Sequence, residues 1–139
     1  MIIYDAENQV LGRLCSVIAK RLLNGEKIAV VNCEKAVLAG RPRSTTDKYL
    51  HKYSRGDAIK GPFFPKQPEL ILRRTVRGML PWDRTRGRNA YKNLKVYVGI
   101  PSELQGKNFE KTAFNASRLK CSYITLGDVS LALGVKKRW

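Results

Sequence analysis

Between positions 41 and 95 the sequence interleaves cations with aromatic rings. The cations are Arg41, Arg43, Lys48, Lys52, Arg55, Lys60, Lys66, Arg73, Arg74, Arg77, Arg84, Arg86, Arg88, Lys92 and Lys95, and Tyr49, Tyr53, Phe63, Phe64, Trp82 and Tyr91 lie among them. Guanidinium forks match the geometry of phosphate oxygens, and aromatic faces accept bases that have left a stack. Any one of these side chains, taken alone, is more often a solvated charge or a core ring than a ligand contact. Together they are fifteen cations against four acids in a chain whose net charge is +16. Without a polyanion that excess would repel itself and work against a compact state, so a nucleic acid is the expected partner.

Other chemistries find less support. A zinc site needs about four ligands, usually with two closely spaced pairs, and Cys15, Cys33, Cys121 and His51 are isolated from one another. Each cysteine sits among apolar or small residues, so all three are expected to be reduced, buried thiols. His51, the sole histidine, lies in a basic stretch that disfavours its protonated form; phosphate or base contact suits it better than acid-base catalysis. Gly56 and Gly61 have the spacing of a phosphate loop, but Pro62 follows where lysine and a hydroxyl residue belong. The Asp5 to Gln9 turn puts acids where a dinucleotide phosphate would sit, so neither a cofactor nor a small-molecule substrate is expected. No zinc-finger, basic-zipper or helix-turn-helix pattern favours DNA. Apolar runs such as Ile28–Val31 are far too short to span a bilayer, and the acidic start Met1–Glu7 is unlike a secretory leader. A cytoplasmic protein without membrane attachment is expected.

The elements that must carry the basic segment follow from periodicity. Ile2–Tyr4 reads as a strand, and Leu11, Leu14, Ile18 and Leu22, with Gly25 beyond, read as a helix. Lys27–Asn32, apolar without alternation at its centre, reads as a strand covered on both faces in a parallel sheet. The opening is thus a strand-helix-strand unit. Ser44-Thr45-Thr46-Asp47 has the form of a capping box opening a helix to about Tyr53, with a strand as the alternative reading of the segment. Pro68 begins another helix whose apolar face is Leu72, Val76, Met79 and Leu80, with Arg73, Arg74 and Arg77 on a separate cationic arc. Lys95–Val98 reads as a strand, and Thr125 with Asp128 opens a last helix ending near Gly134. Prolines and glycines make the rest of the basic segment look like extended loops with short helices.

Val37-Leu38-Ala39-Gly40, Asp47-Lys48-Tyr49, Arg77-Gly78-Met79-Leu80-Pro81, Gly87-Arg88 and Leu94–Gly99, together with Gly12-Arg13-Leu14, resemble the large-subunit ribosomal protein thirteen family over residues 2 to 100. Gly61–Pro65, Thr125-Leu126-Gly127 and the ending Lys137-Arg138-Trp139 resemble its archaeal members. The resemblance implies an α/β fold, in three layers around a mostly parallel sheet of about four strands, with basic loop extensions. It also implies a single domain, with a family core over 1–100 and a C-terminal extension over 101–139. The implied role is to bind large-subunit ribosomal RNA, to join the particle early in assembly, and to act without catalysis. Arg41, Lys48, Arg73 or Arg74, Arg77, Arg88, Lys92 and Lys95 lie in or beside the shared motifs. For Phe109–Trp139 the expectation is contact with RNA or a neighbouring ribosomal protein.

Overall fold

A computed structural model describes all 139 residues. Strand β1 (Ile2–Asp5) leads into helix α1 (Leu11–Leu23), whose buried stripe is Leu11, Leu14, Cys15, Ile18, Ala19 and Leu22. A fully buried aliphatic side chain contributes about 1.5–3 kcal/mol, so this stripe alone commits α1 to the sheet. The chain leaves α1 through Gly25 at φ 89°, a left-handed turn that favours glycine, and enters β2 (Ile28–Val31), every residue of which is buried. After a 3₁₀ turn at Cys33–Lys35 come β3 (Val37–Ala39), α2 (Pro42–Ser54), α3 (Pro68–Gly78), α4 (Thr85–Lys92) and β4 (Leu94–Val96). Strand β5 (Tyr123–Thr125) and helix α5 (Leu126–Ala132) close the order.

The α/β class and the parallel sheet are as expected, with strand order β1-β2-β4 and registers Ile2 to Ile28 and Ile28 to Leu94. The sheet has three strands rather than four, because β3 turns away and pairs antiparallel with β5 in a separate ribbon. All the helices gather on one side. Tyr4, Ile28, Val30 and Leu94 face the larger core with α1, α3, α4 and α5, while Ile3, Ala29 and Val31 face the other way. That second face is covered by Leu104 of a 3₁₀ turn (Ser102–Leu104) with Tyr97 and Phe109, so the third layer is a turn and a loop. The outer edge of β1 is closed by the same stretch: Glu110 N–H donates to the Ile3 carbonyl at 2.8 Å, and Asp5 N–H donates to the Glu110 carbonyl at 3.0 Å. Lys111 pairs with Asp5 at 3.0 Å, and Gln9 hydrogen-bonds Thr112 and Asn115. Part of the C-terminal extension is therefore consumed within the chain.

Several expectations shift. Helix α2 starts at Pro42, ahead of the Ser44 box, and has no side-chain cap; proline at the first helical position presets φ where an N–H would be unpaired anyway. Met79 is 41% exposed because α3 ends at Gly78 and the helical phase stops before it, while Ile71 takes the core place at 1%. The strand expected at Lys95–Val98 spans Leu94–Val96, although Tyr97 N–H still reaches the Val30 carbonyl at 2.8 Å. Cys121 is exposed rather than buried, since it precedes the short β5 on the surface; Cys15 and Cys33 are buried. The capping hydroxyl of α5 is as expected: Thr125 Oγ1 accepts from Asp128 N–H at 3.2 Å.

Candidate nucleic-acid interface

Helix α2 buries no residue at all, which is unusual for thirteen helical residues in a protein of this size. It is anchored by Tyr49, whose ring meets Phe64 edge-on at 5.8 Å, and burial pushes the Tyr49 phenol pKa up, as does the nearby Cys15. The remainder of the helix is free to present charge. Arg41, Arg43, Lys48, Lys52 and Arg55 line an open hollow of about 710 Å³ together with Ser44, Asp47 and His51. All eight residues belong to α2 or its flanks and none is hydrophobic, so this is the space between extended side chains rather than a small-molecule pocket. The hollow continues into one of about 530 Å³ lined by Lys52, Arg55, Pro62, Phe64 and Arg74, and then into one of about 430 Å³ that includes Arg74, Arg77, Trp82 and Asp83. Shared side chains join them: Lys52 and Arg55 belong to the first two, and Arg74 to the last two. The result is one continuous cationic band from α2 across α3.

Aromatic rings aim the arginines of α3. The Arg77 guanidinium lies 4.2 Å over Trp82, Arg74 lies 4.8 Å over Phe64, and Arg73 lies 5.0 Å over Tyr91. Arg74 also donates to the Phe63 carbonyl at 2.9 Å. These contacts hold forked donors in fixed directions, which lowers the entropy lost when an anion arrives. The expected free cationic arc is only partly free, because Arg73 and Arg74 are half-buried and Arg73 Nε is buried without a hydrogen-bond partner.

The other nominated cations are placed less uniformly. Lys66 stands 4.3 Å over Tyr53 beside α2, and Lys60 is exposed on the loop before Gly61. Arg84, Arg86, Arg88 and Lys92 are exposed on or at the start of α4, outside the band's hollows. Arg86 donates to the Leu23 carbonyl at the C-terminal end of α1, and Arg88 donates to the Trp82 carbonyl. Lys95 projects from β4 opposite to Leu94 and Val96, on the sheet face away from the helices. His51, for which the sequence suggested phosphate or base contact, lines the band; Ser44 also lines it and was not expected there, and the helical spacing Ser44, Lys48, His51, Arg55 is the signal that finds it.

Charge pairing is sparse throughout the protein and absent from this region. The protein has four ion pairs, Arg21–Glu110, Lys35–Glu7, Lys111–Asp5 and Lys111–Glu7, and none touches residues 41–95. All fifteen cations of that segment therefore lack a carboxylate partner. The buried thiols offer no nucleophile either, since burial pushes Cys15 up to about 12 and, helped by Glu34 and Glu69, raises Cys33 as well.

A family model described as ribosomal protein L13 matches residues 1–103, which contain the parallel sheet and the whole cationic band. The chain belongs to the ribosomal protein L13 family. Relatives named large ribosomal subunit protein uL13 agree over nearly the full length. The protein of Archaeoglobus fulgidus is 53% identical over 138 residues, covering 96% of this chain and 88% of its own. That of Methanopyrus kandleri is 50% identical, covering 95% and 86%, and that of Haloarcula marismortui is 40% identical, covering 99% and 94%. The expected archaeal resemblance is thus shown in these three. L13 is a family of structural ribosomal proteins rather than enzymes. Residues beyond 103, including the stretch that closes β1, lie outside the family match but within the alignments to these uL13 proteins.

Proposed function

We propose that this chain is a structural constituent of the large ribosomal subunit that binds large-subunit ribosomal RNA through the band running from α2 to Trp82. One observation carries the reading: fifteen cations of one segment stand against only four acids, and none of the fifteen has a carboxylate partner. Partnerless cations clustered on one surface are offset by phosphates, and binding then releases counterions from the RNA. The relatives named for the large subunit support the same assignment. Arg41, Arg43, Lys48, Lys52, Arg55, Arg74 and Arg77 form the continuous contact surface; Lys60, Lys66, Arg73, Arg84, Arg86, Arg88, Lys92 and Lys95 extend it at the margins. The chain works in the cytoplasm as one domain, needs no cofactor, joins the subunit early, and touches neighbouring ribosomal proteins with the surface left free.

The test is co-sedimentation with large subunits and a salt titration on large-subunit ribosomal RNA. Neutralising about eight phosphates on largely structured RNA gives a log-log slope of about −6. Tight binding with a slope near zero, or failure to enter the large subunit, overturns the reading.

A further inference from the structure

Six aromatic rings lie in the basic segment, and five are engaged. Tyr49 and Phe64 meet each other, Tyr53 is covered by Lys66, and Trp82 and Tyr91 pack edge-on at 5.3 Å with Arg77 and Arg73 over them. Phe63 alone has neither a ring nor a cation partner, and it is 67% exposed. Its position is nonetheless fixed. Arg74 donates to its carbonyl, and the loop before it is closed by paired backbone bonds, Asp57 N–H to the Gly61 carbonyl at 3.4 Å and Gly61 N–H to the Asp57 carbonyl at 3.0 Å. A ring carried on a backbone anchored in this way, with its surface in water, offers an apolar face that a stacked partner would bury.

The hollow beside it has a volume of about 330 Å³ and is lined by Tyr53, Pro62, Phe63 and Phe64 together with residues 54–58. Arg55, Pro62 and Phe64 also border the cationic hollow that holds Lys52 and Arg74. An aromatic chamber and a cationic chamber thus share a wall. Bases inside a duplex are stacked on one another and offer no free face, so a ring of this kind reaches only a base that has left the helix. The charge around the hollow selects an anion over a basic or neutral ligand: Lys52, Arg55 and Arg74 are cations, and the one carboxylate, Asp57, already accepts from Ile59 N–H at 3.4 Å.

We infer that the loop between α2 and α3 is a site for one unpaired RNA nucleotide, with its base stacked on Phe63 and its phosphate held by Lys52, Arg55 and Arg74. The inference rests on the RNA-binding reading above and adds a ligand class and a location to it.

The test uses the full chain with transcribed large-subunit ribosomal RNA as the probe. Phe63→Ala should weaken binding about 5- to 150-fold, the range of one base stacked on one aromatic ring, with the salt slope unchanged. Phe63→Leu keeps an apolar side chain without a π face and should not restore binding, whereas Phe63→Trp should. Ultraviolet crosslinking should join the peptide carrying Phe63 to a nucleotide outside any helix. All variants should melt like the parent, because the ring is largely exposed, and Phe63→Leu remains informative if the alanine variant does not fold. Unchanged affinity in Phe63→Ala, full activity in Phe63→Leu, or a crosslink to another ribosomal protein in place of RNA overturns the nucleotide site. Arg43→Gln combined with Lys48→Gln separates the two levels. If that pair weakens binding while Phe63→Ala does not, the nucleotide site is wrong and the band stands; if neither weakens it, the band itself is wrong.

Discussion

Two helical glycines should respond to alanine with opposite signs. A Cβ at Gly87 in α4 would fall 2.1 Å from the Pro81 carbonyl oxygen and 2.6 Å from its carbon, well inside the 3.0 Å that real Cβ contacts respect. The obstacle is backbone, so α4 has to move; no flexible side chain can yield. Alanine would gain about 1 kcal/mol of helix propensity over glycine, while overpacking a tight contact costs about 1–3 kcal/mol and can exceed that range where the neighbour is rigid. With rigid backbone as the obstacle the cost lies at the top of that range, about 3 kcal/mol, so the contact wins and Gly87→Ala should lose about 2 kcal/mol net. Gly12 in α1 is exposed and a Cβ there meets nothing within 4 Å, so Gly12→Ala should gain about 0.4–1 kcal/mol. At about 3–4 °C per kcal/mol for a chain of this length, the two variants should melt roughly 10 °C apart. Thermal and urea unfolding of the RNA-free protein measure both. A Gly87→Ala variant as stable as the parent would refute the close approach of α4 to Pro81, and with it the placement of Arg88 beside Trp82.

The α3 arginines should divide by burial. Arg73→Gln removes a half-buried cation from Tyr91 and should destabilise the free protein by about 1 kcal/mol with little loss of RNA affinity by the folded fraction, whereas exposed Arg77→Gln should do the reverse; denaturation and filter binding on both variants decide it. Asp5 predicts an acid response. Burial alone would raise its carboxyl pKa, but hydrogen bonds from Asn32, the Glu7 N–H and Lys111 outweigh burial and hold it below 3.8. A depressed folded-state pKa means that the contribution is complete above the ordinary value and is lost as pH falls through the depressed one, so stability should drop below about pH 4, and Asp5→Asn should flatten that drop in pH-dependent melts. One thiol per chain, Cys121, should react quickly with a thiol reagent in the folded state, with Cys15 and Cys33 following only on unfolding; two fast equivalents would contradict the packing of α1 or of the Cys33 turn.

The parts of this fold that were legible in the sequence are those in which local pattern and final packing agree. The stripe of α1 and the unbroken apolar run of β2 have one reading each, and the Thr125 hydroxyl found its N–H three residues on. Helix α4 was not legible, because its sequence carries four cationic or amide side chains and a glycine in the place of an apolar stripe. Its one conspicuous residue, Gly87, looks like a loop marker when it is in fact a contact point. The β3-β5 ribbon depends on residues some 85 positions apart meeting, as in Val37 with Thr125, and no local signal announces that. The nominated site fared similarly. Charge and composition found the band's cations, whereas the stacking that orients Arg73, Arg74 and Arg77 needs Tyr91, Phe64 and Trp82 brought from other elements.

The closure of β1 by Glu110 sets an order of events during synthesis. The first strand is made at once, yet its outer row of peptide groups finds partners only when a stretch about a hundred residues downstream arrives, and Gln9 and Asn115, which fasten the same stretch, are 106 positions apart. At a translation rate of about 5–20 residues per second, that leaves the edge unpaired for about 5–20 s. An open strand edge with Ile2 and Ile3 on it is a template for pairing with other chains. The nascent protein is therefore most prone to aggregate before its last quarter is made, and truncation ahead of Glu110 should leave the Asp5 amide exchanging freely with solvent while α1 remains protected.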